Sequence, residues 1–269
     1  MTMGAINDDA INEDVRACLG VRRTILILEA IGERVAGMTN SEISRRLNIP
    51  KSTASYILRT LEQNRYISRD RSTGRYRLGL KLLALGRGVQ IGREIREVAR
   101  PVLRRLVERS GLTAHLAVLD HGEAVYIEKS EAPGFIKLDT WVGRRMDLHS
   151  TAVGKALAAF MQPFELESSI GERGLKQRTA KTLATRRELI AELRRVRAAG
   201  YAVDDEENSV GVRCVAAPVF DARSRACAAV GLSGTTLQID KSSIKSVRRL
   251  VVEASAEISG GLGYASFQS

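Results

Sequence analysis

Residues 41–81 constrain this chain more than any other stretch. Ten Lys or Arg stand there against three acids, an excess of seven positive charges laid over a definite order of short elements. Upstream, Val21, Ile25 and Leu28 fall at i, i+4 and i+7 and predict a first amphipathic helix ending near Gly32. Thr39 followed three residues later by Glu42 has the form of a capping box, in which each side chain satisfies the other residue's backbone N–H. Ile43 and Leu47 then supply the buried stripe of a short second helix. Asn48-Ile49 reads as a turn. Pro50 suits the first position of a third helix over residues 50–64, because its missing N–H has no helical acceptor there. In that helix Ala54, Ile57, Leu58 and Leu61 make one apolar face. The opposite face carries Ser52, Tyr56, Arg59 and Gln63, with Lys51 at its start and Thr53 and Ser55 flanking it. These are hydrogen-bonding groups sized for base edges and phosphates in a major groove.

Two short strands, 66–69 and 75–78, enclose the Gly-containing turn Asp70-Arg71-Ser72-Thr73-Gly74 and read as a hairpin. Arg69, Arg71, Arg75 and Arg77 decorate it. Three helices followed by a basic hairpin make a winged helix-turn-helix, and the location of the charge makes duplex DNA the expected partner. The formal net charge of the whole chain, +11, agrees with an anionic partner; a membrane surface is the second candidate on charge alone. No apolar run approaches the roughly 20 residues that span a bilayer. The first residues, MTMGAINDDAINEDVRACLG, are acidic and lack the apolar stretch of a signal peptide, so a cytoplasmic protein without a membrane partner is expected. Cys18, Cys214 and Cys227 have no metal-binding spacing, and His115, His121 and His149 are scattered. Neither a metal nor a cofactor is expected.

Beyond the hairpin the pattern changes. Residues 1–14 read as an N-terminal tail, 15–80 as the winged helix-turn-helix, 81–94 as a Gly-punctuated linker helix and 95–264 as a second domain. Ile95, Val98, Val102 and Leu106 keep helical spacing, and Pro101 is expected to start or kink that helix. Residues 115–119 and 124–129 flank the turn Asp120-His121-Gly122, and an extended segment, 135–140, follows a turn at Pro133-Gly134. Residues 150–161 read as a helix, with Val153, Ala156, Leu157 and Phe160 on one face. Leu189, Leu193 and Val196 mark another, stopped by Gly200. Late strands at 214–220 and 226–233 precede a final helix bearing Ile244, Val247, Val251 and Ile258. Antiparallel hairpins mixed with helices predict an α+β domain rather than a doubly wound sheet.

The whole chain resembles the IclR-type transcriptional regulators. The resemblance rests on NSEISRRLNIPKSTASYILRTLEQNRYISRDRSTGRYRLGLKLLALG at 40–86, LHSTAVGKALAAFM at 148–161, LRRVRAAGYAVDDEENSVGVRCVAAPVFD at 193–221 and AAVGLSG at 228–234. It implies a winged helix-turn-helix joined to a GAF-like effector domain with a central antiparallel sheet. It also implies homodimers, often paired into tetramers, that repress or activate catabolic operons by binding operator DNA and a small organic effector.

The same resemblance points to an effector site. Thr151, Ala152 and Val153 open a helix whose free N–H groups favour an anion or a carbonyl oxygen. Gly154-Lys155 suggests a nucleotide loop, but His149 and Ala156 stand where that motif needs Gly and Ser or Thr. By alignment Asp204, Cys214 and Ser233 join the site. The family's common Ser-x-Ser-Gly reads Gly231-Leu232-Ser233-Gly234 here, so Gly231 lacks one hydroxyl and leaves space for a ligand bulkier or less polar than glyoxylate. Phe135, Leu138, Trp141 and Met146 are candidate apolar walls. An enzyme is the first rival reading, with Cys214, Cys227 or Ser233 as nucleophile. G-x-S-x-G is not satisfied, because Gly234 adjoins the serine, and no histidine neighbours any of these groups in sequence; no enzymatic activity is expected. A sequence-indifferent architectural DNA binder is the second rival, and the large patterned domain after residue 95 exceeds what it needs.

Overall fold

A computed structural model of the chain describes residues 8–86, 93–132 and 138–265, with side chains described from Leu19 onward and not at Arg93. The chain divides into two compact units, Met1–Ile91 and Gly92–Ser269.

The first unit contains α1 (Asp8–Gly32), α2 (Asn40–Leu47), α3 (Lys51–Gln63), the hairpin strands β1 (Ile67–Arg69) and β2 (Tyr76–Leu78), and α4 (Leu80–Gly86). The Thr39–Glu42 capping box starts α2, and Asn48, in the left-handed region at φ 50°, ends it. Pro50 is the residue before α3 rather than its first turn. Helix α1 includes Asp8, within the segment read as a tail. Its buried residues also differ from the expected stripe. Ile27, Ala30 and Ile31 enter the core, whereas Val21 and Ile25 are exposed. The run Ile25-Leu26-Ile27-Leu28 is apolar on every side, so spacing alone cannot select a face; docking on α2 and the hairpin does. Ile27 and Ile31 meet Met38, Ile43, Leu58 and Ile67 there.

The second unit contains α5 (Arg93–Ser110), β3 (Thr113–Asp120), β4 (Glu123–Ser130), β5 (Arg145–Met146), α6 (Ala152–Ala158), α7 (Pro163–Arg173), α8 (Arg186–Ala199), β6 (Ala202–Asp205), β7 (Val212–Phe220), β8 (Ala226–Thr235) and α9 (Ile244–Gly261). The strands form one antiparallel sheet in the order β5-β4-β3-β8-β7-β6. Leu116, Val118, Val215, Val230 and Leu232 point to the face covered by α5 and α9. Ala117, Tyr126, Ala216 and Ala229 point to the face covered by α6 and α8. His121 and Gly122, both at positive φ (46° and 74°), make the tight turn of the β3–β4 hairpin.

Three expectations change. Helix α5 runs through Pro101 from a start at Arg93; Pro101 is exposed, and the stripe Ala99, Val102, Leu103, Leu106 on the sheet holds the helix on both sides of it. Leu138, Asp139 and Thr140 are not in a strand, and the rest of the predicted extended segment, including Phe135, lies outside the described residues. The helix expected over 150–161 is only seven residues long and buried on all sides. Gly154 permits that burial: a Cβ there would lie 2.4 Å from the Asp147 carbonyl and 2.7 Å from the Leu148 Cα.

Candidate functional site

In the N-terminal unit the polar face of α3 is free. Lys51, Ser52, Tyr56 and Arg59 are exposed and Thr53 and Ser55 half-buried, above Ala54, Ile57, Leu58 and Leu61 in the core. Tyr56 is 73% exposed, so it stands ready for an external partner and not for the core. At the hairpin tip the Asp70 carboxylate accepts from the Ser72 and Thr73 N–H groups at 2.9 and 3.1 Å, which fixes the turn and leaves Arg71 in solvent. Arg69 is exposed, with its guanidinium 5.4 Å from the Tyr76 ring centroid. Arg75 differs. It donates to the Gly37 carbonyl at 2.9 Å and to both Glu42 carboxylate oxygens at 3.1 and 3.2 Å, tying the hairpin to the start of α2. Its guanidinium is already engaged, unlike that of Arg71.

In the C-terminal unit a cavity of about 330 Å³ lies between the sheet and α6. Thr151, Ala152, Val153, Asp204, Cys214, Gly231 and Ser233 all line it. Sheet register brings the distant members together. Asp204 pairs with Cys214, Cys214 with Ser233, and Ser233 with Thr113, so four strands contribute one row on the α6 face. Two residues along, Ala216, Gly231 and His115 make the next row. Thr151 caps α6 by accepting from the Gly154 N–H at 3.1 Å. Gly231 has a structural reason of its own: a Cβ would lie 2.9 Å from the Val215 carbonyl, so the glycine accommodates strand approach rather than opening room. Leu138 and Met146 line the cavity as apolar walls; Trp141 does not, but stacks under Arg144, which does.

Burial sets the charges here. Asp204 is 2% exposed, and desolvation raises its carboxyl to about 7, against the pull of hydrogen bonds from the Glu207 and Asn208 N–H groups at 2.8 and 3.2 Å. Burial likewise pushes the Cys214 thiol up, and that of Cys227 to about 11. His115 is buried behind Ser233, stacked on Tyr126 and within 2.8 Å of the Thr140 hydroxyl. Burial first, then the Lys129 and Arg144 charges, lower it to about 3, so it is neutral at physiological pH.

Residues 20–71 match the IclR helix-turn-helix domain, and residues 89–260 match the C-terminal domain of bacterial IclR transcriptional regulators. This chain belongs to the IclR family. The HTH-type transcriptional regulator XynR of Escherichia coli K12 is 38% identical over 244 residues, covering 91% of this chain and 97% of that protein. The crystal structure of Thermotoga maritima IclR is 34% identical, with a TM-score of 0.73 over 91% of this chain and 98% of that one. An IclR homologue from Microbacterium hydrocarbonoxydans, solved with 4-hydroxybenzoate, shares the fold at 23% identity and a TM-score of 0.76, covering 90% of this chain and 98% of that one.

As an IclR-family member the protein is a DNA-binding transcriptional regulator of α+β fold. Sequence reasoning did not mark His115, Tyr126 or Arg144 as part of the cavity region. Nor did it mark the pair of Lys155, wholly buried, with Glu207. A lysine inside the apolar run of residues 152–159 was the one available signal, because a buried ammonium needs a partner.

Proposed function

We propose that this IclR-family regulator binds operator duplex as a dimer or tetramer in the cytoplasm, and that a small organic acid or carbonyl compound in the C-terminal cavity controls that binding. Lys51, Ser52, Thr53, Ser55, Tyr56 and Arg59 read the major groove, while Arg69 and Arg71 contact the backbone; Arg75 holds the hairpin in place for them. A polar oxygen of the effector meets Thr151, Ala152 and Val153 at the start of α6, and Asp204, Cys214, Gly231 and Ser233 line the remainder. The observation that carries this reading is the convergence of residues from four separate segments on one cavity. Self-association is supported by exposed apolar side chains on α1 (Leu19, Val21, Ile25) and α4 (Leu80, Leu83, Leu85). A single helix-turn-helix contacts few base pairs, so paired half-sites favour a dimer. No described helix is long and apolar enough to cross a membrane. Thiols pushed up by burial are protonated and poor nucleophiles at neutral pH, which argues against catalysis at Cys214 or Cys227. The regulated genes are proposed to be catabolic, as the family resemblance implies.

The effector acts through a difference in affinity between DNA-competent and DNA-incompetent arrangements. A coupling of roughly 1–3 kcal/mol changes operator affinity about 5- to 150-fold, and operator must change effector affinity by the same factor. Calorimetric titration of candidate acids with and without operator, repeated on Ser233→Ala and Asp204→Ala, tests the reading. An acid that releases the promoter yet binds both variants unchanged sinks it.

A further inference from the structure

Ser233 pairs with Thr113 at one end of the sheet, whereas Leu119 and Ala226 stand at the other ends of β3 and β8. At that opposite end lie two surface cavities of about 460 and 490 Å³. Leu119, Met161 and Glu165 line both, so the two form one trough. Leu157, Phe160 and Ala226 extend its apolar floor on one side and Phe164 on the other. Phe164 is 72% exposed and Leu119 37%. Contiguous apolar surface left in water marks a binding site more often than isolated side chains do. The walls are fixed. Arg173 donates to the His121 carbonyl at 3.0 Å, which holds α7 on the β3–β4 turn. In the β7–β8 turn the Asp221 carboxylate accepts from the Arg223 and Arg225 N–H groups at 2.9 and 3.0 Å. Charge divides the trough. Arg197 and Arg225 line only the Phe160 end. The Arg197 guanidinium lies 5.3 Å from the Phe160 ring centroid, and no carboxylate pairs with it among the described residues. Arg225 pairs with Asp221 of its own turn at 2.9 Å. The Phe164 end carries Asp120 and Glu172, with no arginine or lysine among its described lining residues.

We propose that this trough is a second ligand site, and that it takes a fatty carboxylate with its head at Arg197 and Arg225 and its chain along Leu119 and Met161 toward Phe164. Two cavities sharing one apolar floor suit an unbranched chain better than a compact acid. Charge fixes the direction, because Asp120, Glu165 and Glu172 repel a carboxylate from the middle and the Phe164 end. At the Phe160 end Arg197 has no carboxylate to give up, so its attraction for the ligand is not spent on breaking an internal pair. Preformed walls lower the ordering cost of binding. Both arginines are exposed, so the head contributes modestly and the buried chain supplies most of the affinity. The site shares no lining residue with the cavity that holds Asp204 and Ser233, and it stands whether or not that cavity binds the effector.

The test is calorimetry on the full chain with butanoate, octanoate and decanoate, and with octanamide as the neutral control. Affinity is expected to rise with chain length, by up to about fourfold per buried methylene. Arg197→Gln should weaken octanoate by up to about fivefold and leave octanamide unchanged. Phe164→Ser, at an exposed position that the fold does not need, should weaken both, and Ser233→Ala should weaken neither. If Ser233→Ala abolishes octanoate binding while Arg197→Gln and Phe164→Ser do not, the chain sits in the other cavity and the trough assignment is wrong. Binding that no variant changes would be non-specific and would also overturn it. If octanoate does not bind the wild-type chain, the trough is not a fatty-acid site, and the reading of the Asp204 cavity is untouched. Sedimentation without ligand covers the remaining occupant: a smaller assembly for Phe164→Ser than for the wild type would mean that a second copy fills the trough, against the proposal.

Discussion

Lys155 on α6 donates to both carboxylate oxygens of Glu207 at 2.6 Å and to the Val203 carbonyl at 2.6 Å. The Glu207 N–H in turn donates to the Asp204 carboxylate. The helix behind the cavity and the turn that follows Asp204 at the end of β6 are therefore joined by one buried charge pair. Removing the ammonium leaves Glu207 buried and unpaired, so Lys155→Met is expected to destabilise the C-terminal domain by about 3–5 kcal/mol. Lys155→Met with Glu207→Leu should recover most of that, because an apolar pair avoids the desolvation penalty. Denaturant unfolding followed on the C-terminal transition distinguishes the two; equal losses in single and double variants would contradict the ion-pair account.

Asp204 and His115 impose opposite pH dependences. The folded Asp204 carboxyl sits at about 7, raised by burial from 3.8, so its contribution is intact below the lower value and is lost as pH rises toward 7. Folded His115 sits at about 3, lowered by burial from 6.5, so its contribution is present above 6.5 and is lost as pH falls toward 3. Between them the wild-type profile is expected to be nearly flat. Asp204→Asn should unmask stability that rises with pH, and His115→Gln stability that falls, each with slopes up to about 1.4 kcal/mol per pH unit. Parallel profiles for both variants would refute these assignments.

On DNA, Tyr56→Ala and Arg59→Ala are expected to weaken operator binding by roughly 1–3 kcal/mol each and to relax sequence preference. Arg71→Ala should weaken every duplex alike and reduce the salt slope by about one contact. Binding isotherms on operator and random duplex at several salt concentrations separate these classes. Equal loss on both duplexes for the α3 variants would mean that α3 does not read bases.

Arg75 should behave as neither. Its partly exposed pair with Glu42 joins hairpin and helix, so Arg75→Ala and Glu42→Gln are expected to lower N-terminal domain stability alike and only slightly, as solvent screens the pair. A double-mutant cycle measured by thermal unfolding checks it. Additive losses would show that the pair has no coupling, and would return Arg75 to the phosphate-contacting set.

Gly231→Ser restores the hydroxyl common in this family, but its Cβ meets the Val215 carbonyl at 2.9 Å. The expected result is a loss of roughly 1–3 kcal/mol in C-terminal stability from overpacking, without tighter effector binding. A stable variant with increased affinity for a short acid would show that the glycine serves the ligand after all.

What the sequence determined by itself was everything closed within a few residues. The Thr39–Glu42 box, the Asp70 turn, the His121-Gly122 hairpin and the Gly200 stop each depend on neighbours no more than four positions away, so local spacing sufficed. The buried stripe of α3 was legible for the same reason, since only one of its faces is apolar. Of the cavity, the family resemblance named seven residues and register explained them: Asp204, Cys214 and Ser233 are neighbours only because β6, β7 and β8 lie side by side. The rest belongs to tertiary structure. Helix α1 is apolar all round where it turns into the core, and docking chose Ile27 over Ile25. Arg75 looked like every other wing arginine until the fold set Glu42 beside it. Lys155 read only as part of an incomplete nucleotide motif, and Glu207, fifty-two residues on, is what balances its charge out of water. Pairing, burial and counter-charge across such distances are set by how the elements pack, and periodicity carries no record of that.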